Sequence, residues 1–243
     1  PLIVKKFNLF SYIKFIKNLK PVAVINFLHL RDIIIFPMTY YCKVAGIPVI
    51  YWNFGINTKT PEAKLKNLLY FHIHNLSDAI ILYSPLEKKF IKEKNHYKLS
   101  IGYNTINLTD IDRTEFTDKN YLKKKYNIKE KYIVLFVGRI TSNKRLDILL
   151  KCFRKKDIAV VVAGQGINEE YKKLINNISN YYYIGEIPYD KKEIGNIFKS
   201  SDVFCIPGNV GLALIEAFFW GKPVVTIEGR NSPEIYYLKN GYN

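Results

Sequence analysis

Acid is scarce in this chain. Its 243 residues hold 37 Lys and Arg against 21 Asp and Glu, a formal net charge of +16. Such an imbalance calls for anionic partners: nucleic acid, an anionic membrane surface or phosphorylated substrates. Long apolar runs are also missing. None approaches the ~20 residues that a membrane helix needs, and no segment reads as a signal peptide. Only three cysteines occur, Cys42, Cys152 and Cys205. They lie far apart in apolar contexts, which reads as buried free thiols in a reducing cytoplasm and not as disulfide or metal ligands. There is no Asp-x-Asp metal motif, so no metal and no cofactor are expected. No Gly-x-Gly-x-x-Gly fingerprint follows a first strand, which disfavours NAD. No nucleic-acid motif accompanies the basic charge, so nucleic acid is not expected as a partner. Short-period repeats and low-complexity tracts are absent.

What is present is a globular composition, 48% hydrophobic and 15% aromatic, long enough for one large domain or two modest ones. Both ends read as cut, at Pro1 and at the turn-like KNGYN, so a piece of a longer protein is expected. Residues 1–20 carry five lysines and no acid, with Leu9, Tyr12, Ile13, Ile16 and Leu19 at helical spacing. An ordinary amphipathic helix on a sheet is favoured there over a membrane-surface helix. Strands are expected at Val22–Leu28, Ile47–Phe54, Ala79–Tyr83 and Leu99–Gly102. Helices are expected between them over RDIIIFPMTYYCKVAG, Pro61–Leu76 and Pro85–Lys94. Alternation of this kind implies parallel β-α units. The polar, aperiodic stretch Asn104–Thr117 reads as a linker, giving domains 1–117 and 118–243.

The second domain repeats the pattern more clearly. A helix at Tyr121–Tyr126 leads in. Strands at Ile133–Val137, Ile158–Ala163, Tyr181–Ile184, Val203–Ile206 and Pro223–Ile227 precede helices at Lys144–Phe153, Asn168–Asn176, Asp190–Lys199, Gly211–Phe219 and from Ser232. Five β-α units make a doubly wound sheet, which binds ligands outside the carboxyl ends of its strands. At those ends stand Gly138, Arg139 and Lys144, then Gly164, Gln165 and Gly166, then Gly185, Glu186 and Ile187, then Pro207 to Gly211. Glycine admits a ligand close to the backbone. N–H groups opening the Gly211 helix favour phosphate. Arg139 and Lys144 suit a diphosphate, and Glu216 could bond a ribose hydroxyl pair. Of the four histidines, His72 and His74 lie two apart on a helix and so face differently, which argues against a metal site. Tyr181–Tyr183 reads as strand packing.

The segments VGRITSNKRLDILLKCF, VVAGQG, IGEIP, SDVFCIPGNVGLALIEAFFWGKPVVT and SPEIYYLKNG, in this order and spacing, resemble the donor domain of the retaining glycosyltransferases of the family 4 type. AGIPVIYW, SDAIILYSPLEKKFI and GYNTIN resemble their acceptor domain less strongly. The resemblance implies an α/β fold of the GT-B type: two Rossmann-like, doubly wound parallel-sheet domains facing a cleft, the N-terminal one incomplete here. It implies a nucleotide-sugar donor, and a glycan or lipid-linked acceptor in bacterial surface polysaccharide synthesis. It implies that Arg139 and Lys144 bind the donor diphosphate, that Gly211 and Leu212 offer amides to phosphate, and that Glu216 bonds the ribose. Ile187 would lie near the base, with Gly138, Gly164, Gln165 and Asn209 around the donor. Two departures stand out. The family's first Glu, on the donor sugar, falls on Gly208, and its acceptor-side His falls near Asn53 and Phe54. The location expected is cytoplasmic, with peripheral contact at the anionic inner face of the membrane. A non-catalytic nucleotide-binding module is the alternative. A sugar-nucleotide epimerase or phosphorylase of similar fold is a third reading, without supporting residues.

Overall fold

A computed structural model describes residues 8–30, 32–56, 62–152, 157–187, 190–229 and 231–243. The chain forms two compact units, Pro1–Asn104 and Thr105–Asn243.

In the first unit α1 (Leu9–Leu19), β1 (Val24–Phe27), α2 (Ile35–Val44), β2 (Val49–Asn53), α3 (Lys64–Leu76), β3 (Ala79–Leu82) and β4 (Leu99–Ile101) follow one another. All four strands are parallel, in the order β1-β2-β3-β4. Asn8 starts α1 by accepting from the Ser11 N–H at 2.8 Å. Lys20, left-handed at φ 46, ends it before Pro21. Val24, Val49 and Tyr51 share a core with Ile16, Met38, Cys42 and Ile73, so α1, α2 and α3 cover one sheet face. The single helix expected over Pro85–Lys94 is instead two 3-10 segments, Pro85–Phe90 and Glu93–Lys98. The cause is local. A capping box between Ser84 and Glu87 closes the first turn, and Ile91 turns extended to bury itself against Ile80 and Leu82.

The second unit contains α4 (Tyr121–Tyr126), β5 (Tyr132–Val137), α5 (Leu146–Cys152), β6 (Ile158–Ala163), α6 (Glu169–Asn176), β7 (Tyr181–Tyr183), α7 (Lys191–Lys199), β8 (Val203–Cys205), α8 (Ala213–Phe219) and β9 (Val224–Val225). The parallel sheet has the order β7-β6-β5-β8-β9. The winding direction reverses between β5 and β8, and that reversal makes the sheet doubly wound. β5 and β6 are almost wholly buried, as their near-continuous apolar runs require of strands covered on both faces. Asn168 and Asp190 cap α6 and α7 with their side chains. The helix expected from Lys144 begins later. Ser142–Lys144 is a 3-10 turn, Arg145 is left-handed at φ 55, and α5 starts at Leu146. Phe153 lies outside the described residues. The helix expected from Ser232 is the 3-10 segment Pro233–Tyr237.

The stretch read as a linker packs with the second unit. Phe116 sits edge-on to Trp220 at 4.8 Å between centroids, over Gly195, where a Cβ would come within 2.4 Å of its ring. Arg113 donates to the Phe219 carbonyl at 2.9 Å. The division between the units thus falls at 104/105, earlier than the expected 117/118.

The two units share a device. Asp78 and Asp202 each precede a strand, accept from an N–H near the start of the neighbouring strand (Val49 and Ile133, 2.8 and 2.7 Å), and return their own N–H to the same residues. Lys98 and Lys222, at the same distance downstream, each donate to the serine carbonyl before that Asp, at 2.7 and 2.6 Å. Each lysine ties the end of a helix to the start of the next strand and satisfies a carbonyl that the helix leaves open.

The three thiols are free. Cys42 and Cys205 are buried as expected, but Cys152, in the last turn of α5, is exposed. Burial pushes the Cys205 thiol up to about 12.

Candidate functional site

The carboxyl ends of β5, β6 and β7 are laced together by backbone. Gly138 N–H donates to Ala163 at 3.0 Å, Gly164 N–H to Gly185 at 2.8 Å, and Ile140 N–H to Gln165 at 2.8 Å. Gly164, at φ +140, lies so close to Gly138 that a Cβ would sit 2.0 Å from the Gly138 carbonyl oxygen. Glycine here serves close backbone approach. Tyr183 Oη donates to Gly164 O at 2.9 Å, which gives that residue of the tyrosine run a packing and bonding role.

At the switch point the turn after β5 and the turn after β8 are zipped. Gly208 N–H donates to Lys144 O at 3.0 Å and Asn209 N–H to Asn143 O at 2.9 Å. A Cβ on Gly208 would lie 2.0 Å from Asn143 O. No side chain fits there unless the 143–144 turn moves. The position where the resemblance puts a carboxylate is therefore closed to one.

The same contact fixes Lys144. Its half-buried ammonium donates to Val210 O at 2.9 Å, and it lies 3.3 Å from where a Cβ on Gly211 would be. Burial lowers its pKa to about 8, with the buried Glu234 carboxylate opposing the shift. Val210 N–H donates to Asn231 Oδ1 and Gly211 N–H to Ser232 Oγ, both at 2.8 Å. Of the two N–H groups expected to face a phosphate, Gly211 and Leu212, the first thus already has a side-chain acceptor. Asn231, Ser232 and Glu234 were not singled out from the sequence as site residues. The signal was the turn chemistry of Asn231-Ser232-Pro233, whose place against Gly211 only the fold reveals.

Arg139, directly after β5, is exposed, and its guanidinium has no hydrogen-bond partner among the described residues. Glu216 lies half-buried in α8. Burial pushes its carboxyl up, and it too has no side-chain partner among the described residues. Leu212 and Gln165 are exposed, Asn209 is half-buried, and Ile187 packs against the core of this unit. The fold thus zips the turn of Lys144 to that of Asn209, sets the Lys144 ammonium beside Gly211, and brings Gly138, Gly164 and Gln165 together through the laced strand ends. No hydrogen bond joins Arg139, Ile187 or Glu216 to either group. Among the described residues no three His, Cys, Asp or Glu are placed to hold a metal ion. His72 is exposed and bonded to Tyr40 at 2.5 Å, whereas His74 is fully buried. A free guanidinium and a tethered ammonium at the carboxyl edge of a switch point are suited to bind a multiply charged anion.

Residues 118–242 match the family described as Glycosyl transferases group 1. Over 199 residues the chain is 27% identical to an uncharacterized 41.2 kDa protein in the cps region of Klebsiella pneumoniae, covering 76% of this chain and 52% of that protein. Over 228 residues it is 27% identical to an uncharacterized glycosyltransferase, MJ1178, of Methanocaldococcus jannaschii, covering 82% and 60%. The chain therefore spans between about half and three fifths of the length of these curated relatives. Among solved structures it resembles Anabaena Alr3699/HepE in complex with UDP, with TM-score 0.71 and 14% identity over 97% of this chain and 66% of that one. It also resembles a UDP-N-acetylglucosamine 2-epimerase, with TM-score 0.54 and 14% identity over 97% of this chain and 65% of that one. At these identities the likeness to the solved structures is one of fold.

Proposed function

The chain belongs to the glycosyl transferases group 1 family, and from that premise we propose that its second unit holds the diphosphate of a nucleotide-sugar donor. The carrying observation is the pair of cations at the β5–β8 switch point, Arg139, without a side-chain partner among the described residues, and the tethered Lys144. Transfer breaks the bond between the sugar's anomeric carbon and the diphosphate oxygen. A bond from that carbon to an acceptor hydroxyl oxygen forms. Charge grows on the leaving diphosphate, so preorganised cations are the main catalytic tool. In the retaining course the acceptor attacks on the side that the leaving group departs from, and the leaving phosphate takes the acceptor's proton. That course needs no carboxylate pair of the hydrolase kind.

Leu212 N–H, Gly211 and Asn209 would line the phosphates, Glu216 the ribose, and Ile187 the base, with Gly138, Gly164 and Gln165 forming the floor. The acceptor is a glycan or lipid-linked sugar, in keeping with the cps region that houses one relative. UDP is the first nucleotide to try, because it occupies the Anabaena structure. One observation favours a second reading, a nucleotide-binding module without transfer: Gly208 has neither a carboxylate nor room for one.

The deciding experiment is calorimetry on the full chain. UDP, GDP and ADP, then their sugars, are titrated into wild type and Arg139→Ala. One nucleotide should bind, with a loss of about 3 kcal/mol at most in the variant. Folded protein that binds none of them removes the proposal. Binding without sugar release in the presence of acceptors selects the second reading.

A further inference from the structure

We propose that Ser232 is a further diphosphate-binding residue, whose hydroxyl proton stands in for the Gly211 amide. This rests on the donor-site reading above. The Gly211 N–H is already spent on Ser232 Oγ at 2.8 Å. A backbone N–H has one proton, so a phosphate oxygen in the same direction would have to displace the serine. A hydroxyl differs, because it accepts a bond and still carries a proton to give. The Ser232 O–H has no acceptor among the described residues, and the side chain is half-buried and not lost in the core.

The surroundings call for an anion at that proton. The Lys144 ammonium lies 2.9 Å from Val210 O and 3.3 Å from where a Cβ on Gly211 would be, so positive charge stands beside the peptide that Ser232 holds. The buried Glu234, two residues on, favours the charged form of that lysine. The serine is also fixed in place. Asn231 Oδ1 accepts from both Val210 N–H at 2.8 Å and Ser232 N–H at 3.0 Å, which ties the serine backbone to the residue before Gly211. Pro233 keeps Ser232 extended, at φ −75 and ψ 163. A donor held in this way needs no reorganisation when the ligand arrives. The amide polarises the hydroxyl, and the hydroxyl meets an anionic oxygen, the stronger class of hydrogen bond. The contact serves a phosphate and nothing in the nucleoside.

The test is calorimetry at pH 7 on the full chain with UDP, or with GDP or ADP if one of these is the nucleotide that binds. Ser232→Ala should weaken binding about tenfold, the loss expected of a hydrogen bond to a charged group. Ser232→Thr keeps the hydroxyl and should stay within about twofold of wild type. The bare nucleoside, titrated by ligand-detected NMR, should bind wild type and Ser232→Ala equally. Asn231 acts through the serine as a positioning residue. Asn231→Ala should cost about threefold alone and nothing further on top of Ser232→Ala. Unchanged or tighter nucleotide binding in Ser232→Ala would mean that the Gly211 amide reaches the phosphate directly, and it overturns the proposal. So does an equal loss for nucleoside and nucleotide, or a Thr variant as weak as the Ala variant while its circular dichroism matches wild type. Wild-type protein that binds no nucleotide removes the donor reading and this inference with it. Nucleotide binding that is indifferent to Ser232 removes this inference alone.

Discussion

Lys144 offers a quantitative test, because its tether has a titration consequence. Burial sets its pKa near 8, down from 10.5. If the nucleotide diphosphate needs the charged form, the apparent Kd is the intrinsic one divided by the charged fraction. That fraction is about nine tenths at pH 7 and about one eleventh at pH 9. Affinity for UDP should therefore fall about tenfold between pH 7 and 9, and about tenfold more per further pH unit. The phosphates do not confuse the reading, since they lose their last proton near pH ~6. Calorimetry at pH 8.5, repeated in buffers of different ionisation enthalpy, should show uptake of about three quarters of a proton per nucleotide bound. Lys144→Met should bind more weakly at pH 7 and lose both the slope and the uptake. A wild-type Kd that is flat from pH 7 to 9.5, or an unchanged slope in Lys144→Met, refutes the assignment. Stability runs the opposite way with pH. Between pH 8 and 10.5 the unfolded chain holds the proton that the fold has released, so the fold gains stability as pH rises through that window.

Gly208→Ala forces the 143–144 turn away from a contact of 2.0 Å. It should cost about 2 kcal/mol of stability, lowering Tm by about 4–8 °C. It should also weaken UDP binding, and an unchanged melting curve would show that the zipped turns yield freely. His74 is fully buried among Tyr70, Phe71 and Lys98, and neither ring nitrogen has a hydrogen-bond partner among the described residues. Desolvation, aided by Lys98, lowers it to about 4. Unfolded His regains its proton below its usual 6.5, so acid should remove up to about 3 kcal/mol of stability between pH 6.5 and 4. His74→Leu should remove this acid dependence in urea titrations at pH 7 and 5, and an equal pH effect in both proteins would sink the assignment. Of the three thiols only exposed Cys152 should react quickly with iodoacetamide in the native state, which peptide mass mapping of the labelled chain reads directly.

The sheet of the second unit was legible because local chemistry decides it. Ile133–Val137 and Ile158–Ala163 are runs that only a strand covered on both faces tolerates, and Asn168 and Asp190 announce their helices as caps. What was illegible depends on partners far along the chain. The 104/105 division rests on Phe116 meeting Gly195 and Trp220. Polarity alone made 104–117 look like a linker because Phe116, its one aromatic residue, is isolated in sequence. Arg145 turns left-handed because the chain must swing from the zipped 143–144 turn into α5, and nothing in its own side chain favours that conformation. The paired Asp78/Lys98 and Asp202/Lys222 ties were visible as equal spacings, but their period exceeds any short repeat.

Gly208 carries this lesson into the site. Read as a residue type, it is a missing carboxylate. Read in the fold, it is the contact that holds Lys144 beside Val210 and Gly211. The two readings make opposite forecasts for Gly208→Glu. If the absent carboxylate were the defect, Glu would improve sugar-nucleotide binding over plain UDP. If the close approach governs, Glu must push the 143–144 turn outward, return Lys144 to solvent and its pKa toward 10.5, and weaken UDP and its sugars alike. The pH at which UDP affinity begins to fall would then rise from near 8 in the variant. The 2.0 Å approach of Asn143 O to a Cβ at this position favours the second outcome.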